Sequence, residues 1–453
     1  MNIDIKNKPY YDPHFVPIGA YKRAYEQDAQ IPLCIAVERN DGISTMELKM
    51  RGIAAEDCLF AERMAKTLLW QKGGHKLIVC GPKEIYRYIA AAYTQGGQRQ
   101  FDADFMGGVY RRPFEVEHKS YEEKPQAKKN RHSIGRNLSG CRIGFDAGGS
   151  DRKVSAVIDG KTVYSEEVVW YPKTNEDPAY HFEGIMAAMK SAAEHLPRID
   201  GIGVSSAGIF IDNRTAVASL FRKVPLNAFE AHVRDIYLRA AKEMGDVPIQ
   251  VCNDGDVTAL AGSMYFNRNS LLGIAMGTSE AAGYVDETGS ITGWLNELAF
   301  VPVDMNPNAM CDEWSGDIGC GVSYFSQDGV IKLAEYAHFA LPDGSPAEKL
   351  KAVQHAAALR DIDAMQIFSD IGCYLGHTLA FYHDIYGMTS VLLLGRVMSG
   401  AGGETVMMTA KRVLAQEYCE LKLDLLLPDD TFRRVGQSMA AASLPVCFPN
   451  GDE

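Results

Sequence analysis

The chain has no Cys-x-x-Cys pair, no apolar run near the length of a bilayer span and no excess of positive charge. Its ten cysteines are scattered singly, several inside apolar runs such as Leu77–Ile78–Val79–Cys80. That placement marks most of them as reduced, small core residues and excludes a disulfide framework. No stretch approaches the roughly 20 apolar residues of a transmembrane helix, so no membrane association is expected. Met1–Asp12 is polar and charged where a secretory signal has an apolar segment, and a cytoplasmic location is expected. With 46 Lys and Arg against 58 Asp and Glu, the formal charge of -12 leaves no broad basic surface for phosphate neutralisation, and a nucleic-acid partner is not expected. A Walker A loop is missing too. Gly160–Lys161–Thr162 matches its tail but lacks the glycine five positions earlier.

What is present is 453 residues, 46% of them hydrophobic, the composition of an ordinary globular protein. One hydrophobic core stops growing at roughly 250 to 300 residues, so several domains are expected. Four stretches differ in texture. Residues 1–118 read as a small α/β extension: strands at 31–38 and 44–50 around Asn40–Asp41–Gly42, a helix over 54–71, a strand at 76–80 and a helix over 82–93. Residues 119–140, with Lys119, Lys124, Lys128, Lys129, Arg131 and Arg136 beside Pro125, Gly135 and Gly140, read as a polar, basic linker.

From Cys141 strand and helix patterns repeat. Residues 141–266 suggest three strands (142–146, 154–158 and 163–169, the last two joined at Asp159–Gly160) and then a helix, strand, helix, strand, helix series. Three antiparallel strands followed by crossover units make a mixed sheet with helices on its faces. Residues 267–453 open the same way, with strands at 271–276 and 281–285 flanking Gly277–Thr278–Ser279. A long amphipathic helix follows through Phe368, Ile371, Leu375, Leu379 and Tyr382, then a strand at 390–394. Two halves with the same opening indicate an internal duplication, and a ligand cleft between such halves is the expectation.

Three turns carry the candidate chemistry. In Asp146–Ala147–Gly148–Gly149–Ser150 the glycines allow backbone N–H groups to approach a phosphate, and the acid suits the hydration shell of Mg²⁺. Gly277–Thr278 sits at the equivalent point of the second half, where it suits a second phosphate. In Cys252–Asn253–Asp254–Gly255–Asp256, Asp256 is the expected helix N-cap and Asp254 a carboxylate placed to take a proton from a hydroxyl attacking a γ-phosphate.

From about 141 to 445 the chain resembles the ROK family of sugar kinases and regulators, within the actin, hexokinase and heat-shock-protein-70 superfamily. The resemblance rests on the order of Asp146–Ser150, Gly203–Val–Ser–Ser–Ala–Gly208, Asn253–Asp254, Gly277–Thr278, Asn296–Glu297–Leu298–Ala299–Phe300 and Val391–Leu–Leu–Leu–Gly395. It implies duplicated ribonuclease H-like domains with mixed sheets flanking a cleft, and phosphorylation of a hexose or hexose derivative with ATP and Mg²⁺. Asp254 would be the catalytic base and Asp146 would hold magnesium through water. Gly148, Gly149, Ser150, Gly277 and Thr278 would line the phosphates, Gly395 the adenosine, and Asn253 and Glu297 the sugar hydroxyls. A homodimer is the family expectation.

The departures are as specific. Relatives carry a His three residues after the sugar-binding Glu and a CxCGxxGC string, which together hold a structural Zn²⁺. Here Phe300, Glu313 and Ser315 stand at the first of these positions and Cys320 keeps only the last, so no zinc site is expected. Ser279, Glu280 and Arg396 alter the nucleotide turns, and Glu280 would oppose ATP if it faced the phosphates. The alternatives are therefore a sugar-sensing protein of weak or no kinase activity, and a transcriptional regulator.

Overall fold

A computed structural model describes residues 3–128 and 134–446. Lys129 and Arg131 of the basic segment, and Cys447, lie outside the described residues. The chain forms two compact units, one of Met1–Asn130, Ile274–Ala282 and Trp294–Leu427, the other of Arg131–Gly273, Gly283–Gly293 and Pro428–Glu453. The N-terminal extension shares a unit with much of the second half.

In the extension, β1 (Ile31–Glu38) and β2 (Ile43–Met50) form an antiparallel hairpin with Ile35 opposite Met46. β3 (Lys76–Cys80) pairs antiparallel with β1 and β4 (Glu115–Lys119) parallel with β3, giving the order β2-β1-β3-β4. Cys34 and Cys80 face each other in that register and share a core cluster with Ala36 and Ile78, which explains their use as small apolar residues. All nine cysteines among the described residues are free thiols, and seven are buried. The Ala54–Lys72 helix is buried at every residue from Phe60 to Lys72, polar ones included. The Gln100–Tyr110 helix escaped the periodicity reading, since its Gly107–Gly108 pair looks like a turn.

The described part of 119–140 is tied down and does not act as a free linker. Lys128 exchanges backbone hydrogen bonds with Ile43 at 2.9 and 3.0 Å, and Asn137 N donates to the Ser443 carbonyl at 2.9 Å. These partners are remote in sequence, so composition alone could not reveal them.

The second unit carries β5 (Cys141–Ala147), β6 (Asp151–Ile158), β7 (Lys161–Val169), β8 (Gly201–Ser206), the ribbon β9 (Ile209–Ile211) and β10 (Arg214–Val217), and β11 (Ile249–Asn253). Its main sheet runs β11-β8-β5-β6-β7, with β5, β6 and β7 antiparallel and β5, β8 and β11 parallel. That is the mixed sheet expected from the element order. Asp159 and Gly160 both take positive φ, as a tight hairpin requires. The helix expected over 228–244 is interrupted by a π turn at Phe229–Val233 and resumes at Ile236. The core gathers Ile143, Phe145, Trp170, Ile185, Val204 and Tyr237. The Asp430–Ala442 helix lies directly on this sheet, where a Cβ at Gly203 would fall 1.6 Å from the Ala441 carbonyl oxygen.

The remaining sheet has the order β13-β12-β14-β15, from β12 (Leu271–Met276), β13 (Glu280–Val285), β14 (Ser390–Leu394) and β15 (Asp424–Leu426). The expected long helix is Ile362–Tyr386, ended by Gly387 in the left-handed region, and it packs against the Gly400–Glu417 helix.

Candidate functional site

The parallel register of the second unit brings its acids together. Asp146 is abreast of Ser205 on β8, and Ser205 is abreast of Cys252 on β11. One residue further lie Ala147, Ser206 and Asn253, and the next position after β11 is Asp254. All of these stand at the carboxyl ends of parallel strands, where open α/β sheets bind ligands.

Ser205 Oγ donates to Asp146 Oδ1 at 2.7 Å. Burial, with the like charge of Asp254 adding to it, pushes the Asp146 carboxyl up to about 6 against the pull of Ser205. Asp254 is also raised by burial, opposed by the Gly255 N–H and by the Lys173 ammonium. The two acids therefore interact electrically, and each holds its proton to a higher pH than an exposed carboxyl would.

Asn253 caps the Asp254–Phe266 helix. Its Oδ1 accepts from Gly255 N at 2.7 Å, while its Nδ2 donates to the Gly208 carbonyl at 2.7 Å. The expected cap, Asp256, sits inside the first turn and accepts from Tyr284 N at 3.1 Å. The cap is thus three residues earlier than the sequence suggested, because the strand runs straight into the helix. Asp254 is its first residue, where the amide dipoles stabilise negative charge.

The Gly148–Ser150 turn is clamped by Trp170, whose Nε1 donates to the Gly148 carbonyl at 2.8 Å and whose N donates to the Ser150 carbonyl at 3.1 Å. A Cβ on Gly149 would lie 2.5 Å from Lys173 Nζ, so the ammonium rests on the turn. Lys173, Ser205 and Trp170 were missed by sequence reasoning. Their contacts span 22 to 59 residues, and only the Trp170–Lys173 proximity to the end of β7 offered a local hint. An Mg²⁺ ion fits this acid pair, since magnesium keeps most of its waters and needs one or two carboxylates plus phosphate oxygens.

In the first unit, Thr278 and Ser279 are exposed at the β12–β13 turn, and Gly277 is fixed by Gln327 N donating to its carbonyl at 2.9 Å. Gly395 joins them. Its φ of 99° and a would-be Cβ 2.3 Å from the Met276 carbonyl oxygen leave room only for glycine. Glu280 points the other way: it is 3% exposed, and burial together with Glu297 pushes its carboxyl up to about 8. Its carboxyl group abuts Gly321 in the interior, so it is not presented to a phosphate at the exposed Thr278–Ser279 turn. Arg396 is exposed and its carbonyl accepts from Gln354 Nε2.

Glu297 is partly exposed, and its N–H donates to the Trp70 carbonyl at 3.1 Å. Phe300 packs against Trp70 with centroids 4.3 Å apart and the rings tilted by 31°. The loop carrying Glu313, Ser315 and Cys320 is organised by a buried ion cluster. Asp317 pairs with Arg63 at 2.7 Å, Lys66 at 3.0 Å and Arg99 at 2.7 Å, all four nearly inaccessible. The three cations hold Asp317 well below the usual carboxylate range despite its burial. Burial pushes the neighbouring Cys320 thiol up to about 12.

No protein-family model matches the chain, and no curated protein matches it by sequence. Solved structures do. A ROK hexokinase from Thermus thermophilus, at 18% identity, superposes with a TM-score of 0.53 over 67% of this chain and 97% of its own. A ROK family transcriptional regulator described as a homologue of the E. coli MLC protein, at 15% identity, gives 0.50 over 71% and 80%. The chain therefore shares the α/β fold of these ROK structures.

Proposed function

We propose that the protein is an ATP-dependent kinase of a hexose or hexose derivative. The observation that carries this reading is the pairing of Asp254, at a helix N-terminus and raised by burial, with Asp146 and the Lys173-braced glycine turn. A base works best when its pKa is lifted toward the operating pH, and phosphoryl transfer needs chiefly positioning and charge stabilisation. In this reading Asp254 takes the proton of the attacking sugar hydroxyl. Lys173 and the amides of Gly148, Gly149 and Ser150 neutralise phosphate oxygens, and Asp146 holds the waters of Mg²⁺. Bound Mg²⁺ would supply Lewis-acid neutralisation of the phosphates. Gly277 and Thr278 serve the nucleotide phosphates, Gly395 its nucleoside, and Asn253 and Glu297 the sugar hydroxyls. Asn253 meets the sugar while its side chain stays in the cap, which fixes its orientation.

The test is Mg²⁺-ATP turnover against hexoses, amino sugars and N-acylated sugars with mass detection of phosphosugars. Asp254→Ala should lower turnover by about 10²–10⁴-fold while sugar binding persists. Unchanged turnover in that variant would sink the reading. A second reading, a sugar-sensing protein without turnover, is favoured by the fold shared with the regulator. Sugar binding with no product from any sugar would select it.

A further inference from the structure

The last turn of the Ala54–Lys72 helix leaves carbonyls without partners inside the helix, and the segment around Glu297 takes them. Trp70 O accepts from Glu297 N at 3.1 Å, Gln71 O from Asn296 N at 3.0 Å and Lys72 O from Leu295 N at 3.3 Å. Side chains repeat the attachment. Lys72 Nζ lies 3.1 Å from the Trp294 ring centroid and 4.7 Å from that of Tyr386, and the Tyr386 hydroxyl donates to Asn296 Oδ1 at 2.9 Å. Asn296 takes a φ of 53°, in the left-handed region that Asn tolerates better than most residues. On the far side of Glu297, Phe300 is enclosed by Trp70 at 4.3 Å and by Phe101 at 5.7 Å, with Phe105 5.0 Å from Trp70. Trp70, Gln71, Lys72, Phe101 and Phe105 of the extension, with Tyr386, thus hold the backbone on both sides of one acid.

We infer that the N-terminal extension is a positioning element for the sugar site, with Lys72 and the Trp70–Phe105 aromatic group setting the place of Glu297. This rests on the reading of Glu297 as a sugar ligand. The physical reason is that a short irregular segment has no ladder of its own. Its geometry comes from whatever satisfies its N–H groups, and here that is the buried C-terminal end of a helix.

The experiment uses the full chain and the sugar that gives most product, with Lys72→Met, Lys72→Arg and Phe105→Ala. Lys72→Met keeps most of the stem but removes the cation over Trp294, and Phe105 is partly exposed, so its truncation opens less of a cavity than that of a buried ring; a melting curve on each variant establishes that it is folded. The expected result is a rise of about tenfold in sugar KM for Lys72→Met and for Phe105→Ala, with kcat and ATP KM within about twofold, and return toward the wild-type value in Lys72→Arg. A merely structural role would lower kcat and active fraction without a selective change in sugar KM. Sugar KM unchanged in both Lys72→Met and Phe105→Ala overturns the inference and leaves the kinase reading standing. Wild-type protein that binds no sugar by titration calorimetry overturns both.

Discussion

Ser205 donates its hydroxyl hydrogen to Asp146 across 2.7 Å, from a parallel strand that places the two residues side by side. That bond opposes the two influences that keep a proton on Asp146, its burial and the charge of Asp254. The acid is therefore costly to the folded state whenever it is ionised.

Asp146→Asn is predicted to stabilise the protein while abolishing turnover. The folded-state value near 6 exceeds the ordinary 3.8, so between those limits the native form binds more protons than the unfolded chain. Stability falls as pH rises through that window, leaving a deficit of about 3 kcal/mol above it. Thermal melts should show a higher Tm for the variant at pH 7.5 and little difference at pH 4. An equal Tm shift at both pH values would contradict the assignment.

Lys173→Met should weaken nucleotide binding selectively. A hydrogen bond to a charged group contributes about 1.5–3 kcal/mol, so ATP affinity is expected to drop by about 10–100-fold with sugar affinity little changed. Nucleotide titration of the purified variant decides it. Unaltered ATP affinity would show that the ammonium resting on Gly149 serves only the turn.

Asp317→Asn leaves Arg63, Lys66 and Arg99 facing one another with only Glu62 and Asp102 to balance them. Breaking a buried ion pair from one side costs about 3–5 kcal/mol. Denaturant unfolding at pH 7 should register a loss of that size. A change below about 1 kcal/mol would mean that water reaches the cluster.

Gly203→Ala forces a methyl group onto the Ala441 carbonyl and should cost about 1–3 kcal/mol or more as the terminal helix shifts. Gly108→Ala is the contrasting case, since nothing lies within 4 Å of the added carbon in the last turn of its helix. It should add about 0.5–1 kcal/mol. Equal effects of the two substitutions would refute the close approach of the terminal helix to β8.

Most of the longer elements and their order were legible in the sequence, the Gln100–Tyr110 helix being an exception. Strand alternation, the Asp159–Gly160 hairpin and the acid and glycine turns after β5 and β11 are local signals, because φ/ψ preference and side-chain period act over a few residues. It also located Asp146, Asp254 and Thr278 at the ends of strands. What surrounds them follows from packing between distant segments. Lys173 reaches Gly149 across a hairpin, Ser205 reaches Asp146 through parallel register, and Arg63, Lys66 and Arg99 meet Asp317 more than 200 residues away. The side to which Glu280 turns was equally undecidable from its neighbours, since the strand's facing fixes it. Charges and hydrogen bonds act through space, and their partners are chosen by packing that no local pattern records.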